Sequence, residues 1–348
     1  MRILITGSLG TLGKPLVSEL RKRGQIVFGC DTTHNEGPEY MRCDVRQYRQ
    51  IQEVFELAAP ELVYHLAAEF GRNNGEAYYE QLWSSNQIGT ENIIRLCVAQ
   101  KARLVLAGSS EAYGDSGMPD CKEDTLDNHV NAFHNVYALS KWVQERQVMI
   151  ATKNRGLRAV ILRFFNAYGE GEYYSNYRSV VCLFCYRLMH GMPITVYRDY
   201  HRVFMHVDDW ARTVANVADK FDTLPRGSNF AGVPVYNIGG EEYMSVEEMS
   251  QVVLKELNYS SQHNCESIIQ YIDQEAANVA NKRPDLSLAK RDLDHKCLIS
   301  LDDGIRRTVK WMQSVYGKKS IGPATLEEPE PLLLTKAVSV GESPNGSN

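Results

Sequence analysis

The stretch Arg2-Ile3-Leu4-Ile5-Thr6-Gly7-Ser8-Leu9-Gly10-Thr11-Leu12-Gly13 decides how this chain is read. A short apolar run ends in three glycines spaced three apart. Leu12, Leu16 and Leu20 then repeat at a helical interval until Gly24. A buried strand therefore turns sharply into a helix. Glycine permits that turn and lets backbone approach a pyrophosphate closely, while the first N–H groups and dipole of the helix favour an anion. A glycine triplet alone says little. Between a strand and a helix it predicts a dinucleotide-binding loop formed by Gly7, Gly10, Leu12 and Gly13.

The same alternation continues outward. Runs rich in Val, Ile and Leu predict strands at 2–7, 25–31, 61–66, 102–109 and 158–164. Between them, Ile51, Val54 and Phe55 mark a helix that stops before Pro60, and Ile88, Ile93, Leu96 and Cys97 mark a third. Strands alternating with helices require right-handed crossovers and a parallel sheet covered on both faces. The fold class is α/β, a doubly wound parallel (Rossmann) sheet with a smaller C-terminal substrate lobe. Residues 1–165 read as the NAD-binding domain, with later segments returning to it, and residues 166–317 mainly as the substrate lobe. That lobe has a strand at 194–197 and helices at 246–257 and 304–316. Residues 318–348 read as a disordered tail, in which Leu332-Leu333-Leu334 is the one run suited to docking.

Asp31 closes the second strand, 18 residues after Gly13. A carboxylate there bonds the hydroxyls of an adenosine ribose and repels a 2′-phosphate, which favours NAD over NADP. In Cys43-Asp44-Val45, Asp44 is placed to accept from the adenine amino group, with Val45 beside it.

Composition removes other classes. The 348 residues correspond to about two domains at roughly 150 residues each. Thirty-eight basic against 43 acidic residues give a net charge of −5, so no global basic field exists for nucleic acid or an anionic membrane. No run reaches the roughly 18 apolar residues of a membrane helix, and the N-terminus does not read as a secretion signal. Eight cysteines without framework spacing fit reduced thiols in a cytoplasmic protein. Cys182 and Cys185 read as core packing. His190, His201 and His206 are scattered, so no metal site is expected.

Tyr137 and Lys141 stand four apart, which on a helix puts both on one face. A phenol that ordinarily titrates near 10 is a poor base at neutral pH. A neighbouring ammonium and a positive nicotinamide ring favour the phenolate, so Lys141 is expected to bring Tyr137 down and to hold the nicotinamide ribose.

With these elements stand His65-Leu66-Ala67-Ala68, Asn86-Gln87-Ile88-Gly89-Thr90, Ser109-Ser110-Glu111-Ala112-Tyr113-Gly114 and Arg163-Phe164-Phe165-Asn166-Ala167-Tyr168-Gly169. Further on come Arg202-Val203-Phe204-Met205-His206-Val207-Asp208-Asp209, Tyr236-Asn237-Ile238-Gly239-Gly240 and Arg283-Pro284-Asp285. In this order, from residue 1 to about 316, they resemble the nucleotide-sugar epimerase/dehydratase group of the extended short-chain dehydrogenases. The resemblance implies a nucleotide-diphosphate sugar as substrate and a cofactor that stays bound. Ser109 and Tyr137 would take the proton of the 4-hydroxyl while C4 is oxidised to a ketone. Leu66, Ala67, Ala68 and Asn86 would contact NAD. Asn166 and Arg202 would grip the diphosphate, where a guanidinium can bond two oxygens at once. A homodimer would form through the helices carrying Tyr137 and Ile88–Cys97.

Glu111 matches the base of the 4,6-dehydratases, although Ser110 stands where those enzymes often have Asp. Ser110-Glu111 also resembles the pair of the UDP-glucuronate decarboxylases and GDP-mannose dehydratases. Plain 4-epimerases usually carry small or hydroxyl residues at this place. Elimination is the first expectation, with 4-epimerisation and decarboxylation as alternatives. A non-catalytic NAD-binding regulator is the rival of another class, and it would have no need of Ser109, Tyr137 and Lys141 together. Glu170-Gly171-Glu172 replaces the Pro usual after the Asn-x-Tyr-Gly element, and Asn131–Asn135 also lacks a Pro. Both departures point to an unusual sugar, such as an amino sugar or a longer-chain one.

Overall fold

The computed structural model describes residues 1–117, 119–127, 131–259, 268–273 and 278–317. The tail beyond 317, with Leu332-Leu333-Leu334, lies outside the described residues. Seven strands form the central sheet: β1 (Arg2–Thr6), β2 (Ile26–Asp31), β3 (Tyr40–Arg42), β4 (Leu62–His65), β5 (Arg103–Ser109), β6 (Ala159–Phe165) and β7 (Val235–Gly239). They lie in the order β3-β2-β1-β4-β5-β6-β7, every neighbouring pair parallel. β1 sits where the order reverses. In open α/β sheets that position opens a crevice at the carboxyl ends of the strands.

Alternation along β1 explains how the sheet is covered. Leu4 points to one face, where α2 (Tyr48–Ala58), α3 (Gly89–Gln100) and α4 (Val136–Arg155) pack with Ile51, Phe55, Ile93, Leu96, Val148 and Met149. Ile3 and Ile5 point to the other, against Leu16 and Leu20 of α1 (Gly13–Lys22). Farther along that face lie α6 (Val207–Lys220), with Trp210, and α8 (Ser287–Leu293). Trp210 meets Phe164 edge to face at 5.0 Å between centroids. Each such aromatic or aliphatic side chain contributes about 1.5–3 kcal/mol by leaving water.

A separate core of Phe184, Met249, Val253, Ile305 and Met312 holds α5 (Val180–Met189), α7 (Val246–Glu256) and α9 (Leu301–Tyr316) together beside the sheet's C-terminal edge. Cys182 and Cys185 are fully buried in it, as packing residues. α9 begins three residues earlier than its apolar pattern suggests, because the Ser300 hydroxyl accepts from Asp303 N and caps it. The third helix starts at Gly89 and not at Ile88, which lies in a π-helical turn (Ser84–Ile88) and is 53% exposed. Among the described residues no helix is long and apolar enough to cross a membrane.

Candidate active site

The glycines at the carboxyl end of β1 have distinct reasons for being glycine. Gly7 has φ +71°, and a Cβ there would lie 2.8 Å from Ala67 N. A Cβ on Gly13 would lie 2.2 Å from Gly7 O, so any side chain there breaks the turn. Gly10 differs. Its Cβ would meet one protein atom, Gly7 O at 3.3 Å, and the residue lines the cavity, so the room it leaves is room for a ligand. The N-terminal residue of α1 is capped by Leu12, whose side chain has no acceptor, so the first N–H donors of α1 are not capped from that side. Asp31 Oδ2 accepts from Leu9 N at 3.0 Å, which sets this carboxylate against the glycine loop. These features fit a dinucleotide: Gly7, Gly10, Leu12 and Gly13 would take the pyrophosphate and Asp31 the adenosine ribose.

One cavity of about 1170 Å³ runs from this loop to the C-terminal lobe. It is lined by Asp44, Val45, Leu66, Ala67 and Ala68 on the cofactor side, and by Ser109, Ser110, Glu111, Tyr137, Lys141, Asn166 and Arg202 beyond them. Asp44 is partly committed: Arg46 grips its carboxylate, at 2.9 and 3.0 Å from Nε, and holds its pKa down against the effect of burial. Asn86 does not line the cavity. It is wholly buried behind the wall, where Oδ1 accepts from Glu69 N (2.8 Å) and Nδ2 donates to Ser140 Oγ (3.0 Å). It fastens the loop after β4 to the helix that carries Tyr137.

β5 ends at Ser109, whose Oγ accepts from Glu111 N and starts a short 3₁₀ turn (Ser110–Tyr113). That turn aims Ser109 and Glu111 into the same space. α4 starts one residue before Tyr137, capped by the Asn135 side chain on Ala138 N. Its first turn places Tyr137 and Lys141 on the cavity side, with the Lys141 ammonium 5.9 Å from the Tyr137 ring centroid. Tyr137 and Ser109 line the same cavity, and the Ser109 hydroxyl is near enough to favour the Tyr137 phenolate.

The electrostatics correct one expectation. Burial pushes the Tyr137 phenol up to about 12, Ser109 pulls it down and the Glu111 charge adds to the rise. Burial also brings the Lys141 amine down to about 8. In the protein alone burial, not Lys141, therefore decides where the Tyr137 phenol lies.

Glu111 is governed by a residue outside every motif above. Lys282 Nζ lies 2.6 Å from Glu111 Oε1. Burial would raise the Glu111 carboxyl, but Lys282, then Arg72 and Arg202, outweigh it and hold it at about 2. Lys282 is 171 residues away in the chain and sits in the patternless run Ala280–Lys282. Only its place directly before Arg283-Pro284-Asp285 hinted at a role. Arg202 is braced by the chain: NH1 donates to the carbonyls of His201 (2.9 Å) and Ala280 (2.5 Å), and NH2 to Val279 O (2.6 Å). Asn166 Nδ2 donates to Val203 O at 3.0 Å, so both expected diphosphate residues are fixed in place by main chain.

Of the two acidic residues after Gly169, Glu172 lines the cavity and Glu170 does not. Glu170 Oε1 accepts from Arg307 Nε at 2.8 Å while Oε2 lies 2.8 Å from His206 Nε2, and the Glu172 carboxylate receives Ser179 N and Oγ at 2.9 and 2.7 Å. Of the tyrosines nearby, Tyr177 lines the cavity, Tyr174 stacks on Tyr186, and Tyr173 packs edge-on against Trp311. Glu241, His295 and Cys297 come close enough to share a cation. Both ring nitrogens of His295 are already used, toward Gly239 O (2.9 Å) and Thr213 Oγ1 (3.3 Å), which leaves a poor ligand.

A dinucleotide loop and a Ser/Tyr/Lys cluster opening into one crevice define a dehydrogenase-like site. Residues 3–239 match the family model described as the NAD dependent epimerase/dehydratase family, and the chain belongs to that family. The cofactor is NAD. Among curated proteins, the chain is 26% identical to the UDP-N-acetyl-alpha-D-glucosaminuronate decarboxylase of Bacillus cytotoxicus, covering 90% of this chain and 98% of that protein. It is 25% identical to UDP-glucuronate 4-epimerase 1 of Arabidopsis thaliana, covering 90% and 77%. The solved structure of epimerase Mth375 from Methanothermobacter thermautotrophicus superposes with a TM-score of 0.77 at 22% identity, covering 90% and 92%, and shares the fold.

Proposed function

We propose that this enzyme oxidises C4 of a nucleotide-linked uronic acid and releases the sugar carboxyl as carbon dioxide. The observation that carries the reading is the state of Glu111. A base that takes the C5 proton for elimination works best with a raised pKa, whereas three cations hold Glu111 low. That speaks against 4,6-elimination, the first expectation from sequence. Lys282, Arg72 and Arg202 around the one carboxylate of Glu111 also leave excess positive charge at that spot, which suits a substrate bearing a C6 carboxylate. The Bacillus cytotoxicus relative is named for removing such a carboxyl.

NAD, when bound, supplies a reversible hydride acceptor. The protein does the rest. Tyr137 takes the 4-hydroxyl proton with the help of Ser109. Asn166 anchors the diphosphate with the charge of Arg202 beside it, the terminal nitrogens of Arg202 being engaged by His201, Asn278, Val279 and Ala280, and Lys141 holds the nicotinamide ribose. Once C4 is a ketone, the C6 carboxylate is β to it. The C5–C6 bond can then break with its electron pair passing to the C4 oxygen as an enolate, and no base at C5 is required. C5 is reprotonated and C4 is reduced again. A homodimer through α3 and α4 belongs to the same reading, with Ile88 next to α3 and Ile150 of α4 exposed at 53% and 50%.

Mass spectrometry of the products from UDP-glucuronic acid tests this. A product lighter by one carbon dioxide is expected. An unchanged mass would make the chain a 4-epimerase, and loss of water would restore elimination.

A further inference from the structure

Lys282 is among the largest wholly enclosed side chains of the protein, and the reading above uses its charge but not its placement. Two structures fix it. Directly after it, Arg283 and Pro284 pair in parallel with Asp120 and Cys121, with Arg283 N donating to Pro119 O at 2.7 Å. Directly before it, the Arg202 guanidinium holds the carbonyls of Val279 and Ala280 and reaches Asn278 Oδ1 at 3.2 Å. Between these anchors the Lys282 ammonium meets Glu111 Oε1 at 2.6 Å, with only 2% of the lysine side chain exposed.

We infer that Lys282 is a positioning residue: it holds the Glu111 carboxylate in one orientation, where that carboxylate accepts from a sugar hydroxyl and sets C4 toward the nicotinamide, and ties it, through residues 278–281, to Arg202. The two ends of the substrate would then be gripped by one continuous piece of chain. This rests on the reading above only in placing the sugar between Ser109 and Arg202. The physics is that of a buried ion pair. Removing one partner leaves an uncompensated charge, which protonates or deprotonates to escape, whereas removing both leaves none.

The experiment uses Lys282→Met, Lys282→Arg and the double variant Glu111→Gln/Lys282→Met in the NAD-loaded enzyme. Melting temperature and the pH profile of kcat with UDP-glucuronic acid are both measured. Lys282→Met should melt several degrees lower and lose roughly tenfold or more in kcat with KM little changed. Below neutral pH its activity should fall more steeply than that of the wild type, because Glu111 now takes up a proton in addition to the loss that Tyr137 alone causes. Lys282→Arg should restore the wild-type acid limb. The double variant should regain melting temperature without activity, and it keeps the test open if Lys282→Met does not fold. A Lys282→Met enzyme with wild-type kcat and acid limb would overturn the assignment, as would a fully active double variant or an arginine variant no better than methionine. The melting cycle needs no substrate. A product of unchanged mass alongside the expected steeper acid limb would refute decarboxylation and support Lys282.

Discussion

Lys141 donates its ammonium to the carbonyl of Ala107 at 3.2 Å, and both residues line the cavity that Tyr137 lines. The lysine is 4% exposed, and burial brings its amine down to about 8. A lysine whose folded value lies below its free value costs the fold stability while protonated, and that stability returns as pH rises through about 8 toward 10.5. Lys141→Met should therefore melt no lower than wild type at pH 7, while kcat falls by roughly a hundredfold or more. Calorimetry and steady-state rates on one preparation check both.

Tyr137→Phe removes the proton acceptor and keeps the ring. A loss of roughly 10²–10⁴ in kcat is expected, with an unchanged circular dichroism spectrum and retained NAD. Because burial holds the phenol at about 12, wild-type kcat/KM should climb with pH from neutral into the alkaline range. A flat profile would remove Tyr137 as the base.

The glycine loop separates folding from binding. Gly13→Ala forces a methyl against Gly7 O and should lower both melting temperature and NAD content. Gly10→Ala meets little protein, so it should spare melting temperature and weaken NAD. NAD released on denaturation, measured beside melting curves, distinguishes them.

Behind the site, Arg163 and Glu145 are both wholly buried and joined twice, Nε to Oε1 at 3.0 Å and NH2 to Oε2 at 2.9 Å. Breaking such a pair costs about 3–5 kcal/mol. Arg163→Met should lose that much in urea unfolding, and Glu145→Gln/Arg163→Met should lose less.

Strands and helices of the first half were legible because each buries a full apolar run. β3 was not, being a three-residue edge strand without a continuous apolar pattern. The glycine loop, Asp31, Tyr137 and Lys141 stood out because their chemistry depends on local spacing, Ser109 came only from the family resemblance, and all of them line one cavity. What could not be read depends on tertiary contact. Asn86 bonds Glu69 and Ser140 behind the wall, the Glu170 charge is taken up by Arg307 from α9, and Lys282 reaches Glu111 across 171 residues. Desolvation likewise leaves no trace in sequence, which is why the Tyr137 phenol sits higher than its Lys141 neighbour suggests.

UDP-glucuronic acid deuterated at C4 offers the most direct measurement. With C4 oxidised and then reduced by the same retained cofactor, the product should be lighter by carbon dioxide and still carry deuterium at C4, formed at a rate slowed by the label. A product without the deuterium, or one formed with no reaction at C4, would contradict oxidation at this centre.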